Sequence, residues 1–416
     1  MASSDAVAPT FQITVQPSGR MFAAQAGEAI LSAGIRQGIG LPYGCKDGAC
    51  GSCKCRLIEG RVVHGPHQSK ALSEAEEASG LILTCCGVPQ TDLVLEARQV
   101  TELGALPVKR MPTRVMRLER KSPDVMLLTL QLPATEAFAY RSGQYIEFIL
   151  RDGTRRSYSM ANAPAAVGST SATLELHIRH MPGGRFTDHV FTTMQEKEIL
   201  RAEGPFGSFF LRQDSTKPMV LLASGTGFAP IKALIEQMQQ QGINRPATLY
   251  WGGRRPRDLY MDGWVQERLA ELPQLRYIPV VSDALPEDAW SGRTGFVHRA
   301  VMADFPDLSG YQVYACGAPA MIEAARTGYE QLGMTLESLR TNVGLMRVLG
   351  ETGRYGEALD VGQRVLDNLA ATQTPDQTLL MAHVQRNRGV CLERIGRFAD
   401  ALVAFAAAEQ LYATLG

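Results

Sequence analysis

The chain has 416 residues, 45% apolar and 20% charged, a composition that fits three or four soluble globular domains. Lys plus Arg and Asp plus Glu both total 42, so no charge excess points to nucleic acid or to an anionic membrane surface. The N-terminus lacks the basic and apolar regions of a signal peptide, and the apolar run Met219–Ala223 is far too short to span a bilayer. A cytoplasmic protein without a membrane span is expected.

Phe11–Gln16 alternates as a strand should, and Arg20–Ala24 follows as its hairpin partner. Gly27–Ile35 reads as a short helix. Six of the eight cysteines then fall between Cys45 and Cys86. In a long chain with no secretory signal, that clustering favours metal ligation over a disulfide framework. Cys45, Cys50 and Cys53 are separated by four and by two residues, the ligand spacing of a plant-type 2Fe–2S centre, which needs one more cysteine downstream. Cys85 supplies it, with 31 residues intervening. Gly44, Gly48 and Gly51 let backbone N–H groups turn toward the sulfurs. Zinc is the competing reading, but zinc sites usually carry two short ligand clusters. Cys55 opens a strand, Lys54–Glu59, and reads as a packing residue. Adjacent thiolates rarely point at one metal, so Cys85 rather than Cys86 is taken as the fourth ligand. Leu93–Ala97 reads as a closing strand.

From Thr113 the pattern becomes β: Val115–Glu119, Val125–Gln131, Tyr145–Leu150, Thr173–Ile178 and Glu198–Ala202 suggest a small antiparallel barrel. Arg156-Ser157-Tyr158-Ser159, placed after a strand, matches the Arg-x-Tyr-Ser motif of the ferredoxin-reductase flavoproteins. Arginine suits a flavin phosphate, a tyrosine face suits the isoalloxazine, and serine suits a hydrogen bond near flavin N5. A cross-strand arginine and a surface tyrosine are the plain alternative. Met181-Pro182-Gly183-Gly184-Arg185-Phe186-Thr187 leads into a helix at Asp188–Met194, where backbone amides can approach a pyrophosphate. An ordinary turn is the alternative there. A loop suited to a diphosphate favours FAD over FMN.

Pro218–Ala223 is a continuous apolar run, as expected of a buried parallel strand. It enters Ser224-Gly225-Thr226-Gly227-Phe228-Ala229-Pro230 and a helix at Ile231–Gln241, the layout of a dinucleotide phosphate site. Strands at Ala247–Trp251, Leu275–Val281 and Gln312–Ala315 alternate with helices at Gly263–Glu271 and Pro319–Gln331, which is the pattern of a doubly wound α/β domain. Cys316-Gly317-Ala318-Pro319-Ala320-Met321 follows the last strand. Cys316 therefore lies at a carboxyl end of the sheet, where ligands bind; a packed thiol is the alternative. Arg254, Arg255 and Arg257 follow the strand ending at Trp251 and read equally well as a 2′-phosphate site or as a solvated loop.

Together these motifs resemble NAD(P)H-dependent flavin reductases with an N-terminal plant-type ferredoxin domain, over about residues 10–337. Similar families are the CDP-6-deoxy-δ-3,4-glucoseen reductases and the reductase components of multicomponent oxygenases. The resemblance implies a multidomain α+β and α/β chain. A β-grasp 2Fe–2S ferredoxin domain would occupy 1–104, an antiparallel β-barrel FAD domain 108–213 and a doubly wound α/β NAD(P) domain 214–337. It implies that Arg156, Ser157, Tyr158 and Ser159 hold FAD, with Gly183, Gly184, Phe186 and Thr187 at its pyrophosphate. Gly225, Thr226, Gly227, Cys316, Gly317, Pro319 and Met321 would serve the nicotinamide nucleotide, NADH rather than NADPH. Ser159 and Cys316 would be the catalytic positions and Cys45, Cys50, Cys53 and Cys85 the metal ligands. Hydride would pass to FAD and single electrons through the cluster to a partner protein, a deoxysugar dehydratase or an oxygenase component.

Family members finish soon after a Leu-Glu-Ser-like segment, whereas Leu336-Glu337-Ser338 here continues into an α-helical repeat tail at 338–416. Gly353-Arg354-Tyr355-Gly356-Glu357-Ala358-Leu359 returns 43 positions later as Gly396-Arg397-Phe398-Ala399-Asp400-Ala401-Leu402, and Leu349 corresponds to Leu392. The tail resembles two tetratricopeptide-type helix pairs with an extended connection near Thr374-Pro375-Asp376. It suggests a protein partner or a plain helical appendage. A tetratricopeptide-like interaction protein with degenerate redox modules is the alternative of another class; the intact thiol set and both glycine loops argue against it.

Overall fold

The computed structural model describes residues 9–97, 106–133, 138–164, 173–332, 355–369 and 375–414. Leu336–Leu339, Leu349, Gly353, Arg354 and Thr374, which figured in the reading of the tail, lie outside these residues. The chain divides into two compact units. One comprises 1–216, 220–294 and 314–319; the other comprises 217–219, 295–313 and 320–416.

The first unit opens with a five-stranded mixed sheet. Its strands are β1 (Thr10–Gln16), β2 (Arg20–Gln25), β3 (Lys54–Glu59), β5 (Leu81–Leu83) and β7 (Leu93–Glu96), in the order β2-β1-β7-β3-β5. β4 (Val62–His64) and β6 (Gly87–Pro89) form a separate pair. β1 pairs antiparallel with β2 and parallel with β7, and the strands carry Ile13, Val15, Phe22, Leu93 and Leu95 into one core. Helix α1 (Ile30–Arg36) buries Ile30, Leu31, Ala33 and Gly34, and the sheet grips it in β-grasp fashion. The helix starts later than its sequence pattern suggests. Gly27 sits at φ +79°, outside helical space, and the Glu28 carboxylate is turned back onto the Gln25 N–H at 2.9 Å. The short α2 (Glu74–Ala78) is held by a reciprocal capping box between Ser73 and Glu76.

Six antiparallel strands follow: β8 (Lys109–Ser122), β9 (Val125–Gln131), β10 (Tyr145–Ile149), β11 (Arg155–Ser159), β12 (Thr173–Arg179) and β13 (Ile199–Phe206). Their order is β11-β10-β13-β8-β9-β12, and a bridge between Met160 and Leu176 joins the two edges into a barrel. Leu128, Leu130, Ile146, Phe148, Leu174, Leu176 and Ala202 fill it. Arg156–Ser159 follows β10, as expected, and itself lies on β11. That segment shows no apolar alternation, and its register with β10 is what makes it β. Helix α3 (Arg185–Thr192) leaves the loop after β12 and buries Phe186 and Val190.

The third sheet contains β14 (Met219–Ser224), β15 (Ala247–Gly253), β16 (Leu275–Val281), β17 (Arg293–Thr294) and β18 (Gln312–Cys316), in the order β17-β16-β15-β14-β18. β15, β16 and β17 are parallel, and β14 is buried along nearly its whole length. Helices α4 (Phe228–Gln240) and α5 (Asp262–Glu271) alternate with the strands. The strand order reverses between β14 and β18, so their ends flank the switch point where open α/β sheets bind ligands.

The second unit holds α6 (Val297–Asp304), α7 (Pro319–Leu332) over most of its length and three C-terminal helices: α8 (Tyr355–Leu369), α9 (Pro375–Arg394) and α10 (Phe398–Ala413). Val365 and Leu369 of α8 pack with Leu380, Val384 and Cys391 of α9. Leu392 packs with Ala401 and Ala404 of α10. A Cβ on Gly389 would lie 2.5 Å from the Phe405 ring, so the α9–α10 approach depends on that glycine. Gly396, at φ +78°, separates these two helices. The described residues of the tail form three helices, and 338–354, where the first helix of the first pair would fall, lie outside them. Pro375 and Asp376 open a helix instead of an extended connection, because proline is well suited to a first helical position. Tyr355 and Phe398, equivalent in the 43-residue repeat, both begin helices. No helix among the described residues is long and apolar enough to cross a membrane.

Candidate functional site

The cysteine loop is shaped by its glycines. Gly48 and Gly51 adopt φ of +71° and +73°, and a Cβ on Gly48 would lie 2.6 Å from that of His67. The turned backbone aims amides at sulfur: Cys45 N–H reaches Cys50 Sγ at 3.3 Å, and Cys50 N–H reaches Cys45 Sγ at 3.4 Å. The Cys85 thiol meets both Cys45 and Cys53. The four thiols thus form two pairs, Cys45 with Cys50 and Cys53 with Cys85, joined by the Cys45–Cys85 contact. Hydrogen bonds from Cys50 and Cys85 pull the Cys45 thiol far below its ordinary range. Cys53 is brought down to about 7 by its hydrogen bond with Cys85. Their partners Cys50 and Cys85, which hold the protons of these bonds, are pushed up, so each pair carries one readily ionised thiol. Among the described residues, no three His, Cys, Asp or Glu donors close on one point as a cage for a single ion. Two linked thiol pairs instead suit a two-iron centre, one pair to each iron. Cys86 bonds to Cys85 alone among these thiols. Cys55 packs in the core of the first sheet, and burial pushes its thiol up to about 12.

This loop docks on the barrel. Ser208 donates its N–H and hydroxyl to the Tyr43 carbonyl at 3.1 and 2.9 Å, and Tyr43 N–H reaches Ser208 Oγ at 3.0 Å. Lys46 Nζ lies 3.5 Å from the Phe206 ring centroid and 3.0 Å from Glu147 Oε2. Glu147, only 4% exposed, is also bound by Arg155 at 2.8 Å, so its buried charge is doubly compensated. The Tyr43–Ser208, Lys46–Phe206 and Lys46–Glu147 contacts have no sequence signature, because each depends on two domains meeting.

On β11, Tyr158 packs with Phe148 and Phe186, whose ring centroids lie 6.0 and 5.4 Å away. Arg156 is exposed, and its guanidinium bonds only the Arg155 carbonyl among the described residues, at 2.7 Å. It is a cation suited to a phosphate. Ser157 instead faces Glu147 at 3.5 Å, on the other side of the strand. Ser159 sits opposite Tyr145 in the register. Gly183 adopts φ +81°, and a Cβ on Gly184 would lie 2.7 Å from Thr187 Oγ1 and 2.8 Å from the Met181 carbonyl. The Thr187 hydroxyl is committed to Met181, donating to its carbonyl at 2.9 Å and accepting from its N–H at 3.2 Å. It shapes the loop. No side chain caps α3 at Gly184, so the amides of its first turn are suited to an anion. Phe186 is buried beneath Tyr158, which leaves its backbone as the part suited to contact a cofactor.

At the switch point Gly225–Gly227 forms a single 3₁₀ turn between β14 and α4. A Cβ on Gly227 would lie 2.2 Å from the Cys316 carbonyl oxygen, so the two strand ends touch backbone to backbone. Trp251 Nε1 donates to the Gly225 carbonyl at 3.2 Å, and Phe228 stacks on the indole at 3.9 Å. Burial pushes the Cys316 thiol up to about 11, so it is a neutral thiol at physiological pH. Ala318 N–H reaches Ser224 Oγ at 3.0 Å, Pro319 opens α7, and Met321 lies in its first turn. Thr226 is half-buried within the turn. Arg179, which no motif marked, brings its guanidinium to 2.7 Å from where a Gly225 Cβ would be. Arg255 is held by Asp288 at 2.5 and 2.8 Å and by Glu287 at 3.4 Å, while Arg254 and Arg257 are exposed.

Beneath this turn lies a buried polar network. His177 bonds the Tyr260 hydroxyl at 2.7 Å and Glu175 at 3.0 Å, and Lys232 bonds Glu175 at 3.1 Å. Burial lowers the His177 pKa; for Glu175, burial opposes ionisation, but His177 and Lys232 outweigh it and bring the carboxyl down to about 2. Both shifts act in one direction. Neutral His177 contributes stability above its ordinary 6.5 that is lost as pH falls. Ionised Glu175 contributes stability above its ordinary 4.5 that is lost as pH falls toward about 2. The thermal midpoint should drop between pH 7.5 and 5.5, and His177→Gln should flatten that dependence. An unchanged slope in the variant would remove His177 from the acid response.

Three domain families match along the chain. Residues 13–90 match the 2Fe-2S iron-sulfur cluster binding domain, 112–211 the oxidoreductase FAD-binding domain and 221–327 the oxidoreductase NAD-binding domain. The CDP-6-deoxy-L-threo-D-glycero-4-hexulose-3-dehydrase reductase of Yersinia pseudotuberculosis is 40% identical over 325 residues, covering 78% of this chain and 95% of that one. Reductase component 1 of terephthalate 1,2-dioxygenase from a Comamonas species is 33% identical over 336 residues, covering 80% and 96%. Among solved structures, the Amycolatopsis cytochrome P450 reductase GcoB shares 33% identity and a TM-score of 0.62, covering 78% and 96%.

Proposed function

Because the chain belongs to the family of NAD(P)H-dependent flavin reductases with an N-terminal 2Fe–2S ferredoxin domain, we propose that its electron acceptor is a deoxysugar dehydrase. The chain is an oxidoreductase whose cofactors are FAD, a 2Fe–2S centre and NAD(P)H. When bound, FAD converts a two-electron hydride into single electrons, and the 2Fe–2S centre carries them one at a time. The observation that carries the reading is the seating of the thiol loop on the barrel through Lys46, Glu147 and Ser208. It draws the exit centre toward β10, the strand beside Arg156–Ser159.

Cys45, Cys50, Cys53 and Cys85 would ligate the two irons. Arg156 would neutralise flavin phosphate, Tyr158 would bound the flavin, and the first turn of α3 after Gly183 and Gly184 would receive the pyrophosphate. Gly225–Gly227 would cradle the nicotinamide nucleotide, with Ser159 and Cys316 as the catalytic positions. Cys316, a neutral thiol, would orient rather than attack. Since Asp288 and Glu287 occupy Arg255, the loop after β15 offers less charge for a 2′-phosphate, which supports NADH. Divisions at 1–104, 108–213, 214–337 and 338–416 accord with these roles. The tail, with its small-residue approach at Gly389, fits a tetratricopeptide-like unit that recognises a protein partner in the cytoplasm.

The dehydrase reading is supported by the 40% identity to a hexulose-dehydrase reductase, against 33% for the dioxygenase component. The oxygenase reading keeps one specific support, the likeness to a cytochrome P450 reductase. Anaerobic titration with NADH and with NADPH, followed by visible absorption and EPR, tests the chain of transfer. NADH should bleach the flavin and raise a reduced-cluster signal at lower concentration than NADPH. Failure of both nucleotides would overturn the assignment. Addition of a purified deoxysugar dehydrase or an oxygenase component then decides the acceptor by which one reoxidises the cluster.

A further inference from the structure

Tyr145, at the start of β10, is 8% exposed, and its hydroxyl has no hydrogen-bond partner among the described residues. Leaving such a group unpaired is costly, so the site calls for an acceptor that the polypeptide does not supply. Its neighbours indicate which one. The ring lies 5.6 Å from that of Phe206, and Phe206 in turn carries the Lys46 ammonium, one residue beyond Cys45. Although Tyr145 belongs to a barrel strand, it packs in the same core as Tyr43, Cys53 and Cys85. Burial first, and then its neighbours Tyr43, Glu147, Cys45 and Cys50, keep the phenol protonated. Glu147, the nearby carboxylate, is already bound by Lys46 and Arg155. On its other side Tyr145 is the strand partner of Ser159. The phenol thus stands at the junction between the thiol loop and the proposed flavin strand, with one proton to donate.

We propose that the Tyr145 hydroxyl donates a hydrogen bond to a sulfur of the 2Fe–2S centre on its Cys45–Cys50 side and raises the centre's affinity for an electron. The inference rests on the assignment of Cys45, Cys50, Cys53 and Cys85 as ligands. Reduction adds one negative charge to the centre, and a donor aimed at sulfur stabilises that charge more than it stabilises the oxidised form.

Spectroelectrochemical titration of the holoenzyme, with flavin and cluster followed separately, tests it. Tyr145→Phe keeps the ring and removes only the donor. It should lower the cluster's one-electron reduction equilibrium about tenfold, or 59 mV for a one-electron couple, and leave the flavin couple unchanged. Placing 3-fluorotyrosine at position 145 alone acidifies the phenol without changing the fold, and it should shift the cluster the opposite way. Pulsed EPR of the reduced wild type in H₂O and D₂O should show an exchangeable proton coupling that Tyr145→Phe lacks. A wild-type cluster whose potential is matched by both variants would overturn the proposal while leaving the ligands standing. A wild type with no cluster would overturn both.

Discussion

Replacing Cys85 by alanine abolishes the reduced-cluster EPR signal and cuts electron delivery to the partner by about hundredfold or more, a scale set by losses of about 10–100-fold from weaker outer-shell changes. NADH continues to bleach the flavin. The expectation follows from where Cys85 sits. It is 6% exposed, just after β5, and its thiol joins Cys53 to the Cys45–Cys50 side of the loop. Without it one thiol pair is broken, and three thiols cannot complete two irons. The proposed flavin strand does not depend on it, because β11 is held by β10 and by the Phe148–Tyr158–Phe186 ring group. Cys86→Ala is the matched control: it removes a neighbouring thiol that bonds only Cys85 in this group, and delivery should stay within about twofold of wild type. The two variants share composition, compartment and almost the same position. Loss of the signal in Cys86→Ala with retention in Cys85→Ala would invert the ligand assignment.

These expectations separate what local chemistry dictates from what apposition creates. The cysteine spacing and the run Met219–Ala223 ending in glycine are written over a few consecutive residues, so they were legible at once. The β-barrel was legible where strands bury one face, as at Val125–Gln131. It was less so at Lys109–Arg114, where Pro112 interrupts the polar pattern and pairing with β13 supplies the strand. Gly27 and Pro375 misled because each has two readings, and the neighbouring backbone decides between them. The docking contacts of Lys46 with Glu147 and of His177 with Tyr260 span 101 and 83 positions. No local pattern encodes such pairs. Lys46 stands among cysteines and glycines that absorb attention, and Tyr145 looks like any strand aromatic until its hydroxyl is found buried without a partner.

The same dependence on backbone approach makes Gly227→Ala the severest single substitution expected at the proposed nucleotide site. The added methyl would lie 2.2 Å from the Cys316 carbonyl oxygen and 2.5 Å from the Gly317 Cα. Those are backbone atoms of the opposing strand end, with no side chain free to swing aside. Relief requires β14 and β18 to separate at their carboxyl ends by roughly 1 Å, because packed interiors do not absorb such a volume locally. The separation falls at the switch point itself, between the turn proposed to cradle the nucleotide and the proposed catalytic Cys316. A misplacement of about 1 Å costs about 10²-fold in a reaction that relies on held geometry. Flavin reduction by NADH in a stopped-flow experiment should therefore slow by about hundredfold, with flavin and cluster content at wild-type levels. Gly225→Ala differs in kind, since its methyl would meet the movable end of the Arg179 side chain, although φ +52° adds strain there. Gly263→Ala, in α5 with open space around it, controls for loss of glycine alone and should leave the rate unchanged. Wild-type flavin reduction in Gly227→Ala would mean that the strand ends can part without disturbing hydride transfer, and the site would then have to lie elsewhere on the sheet.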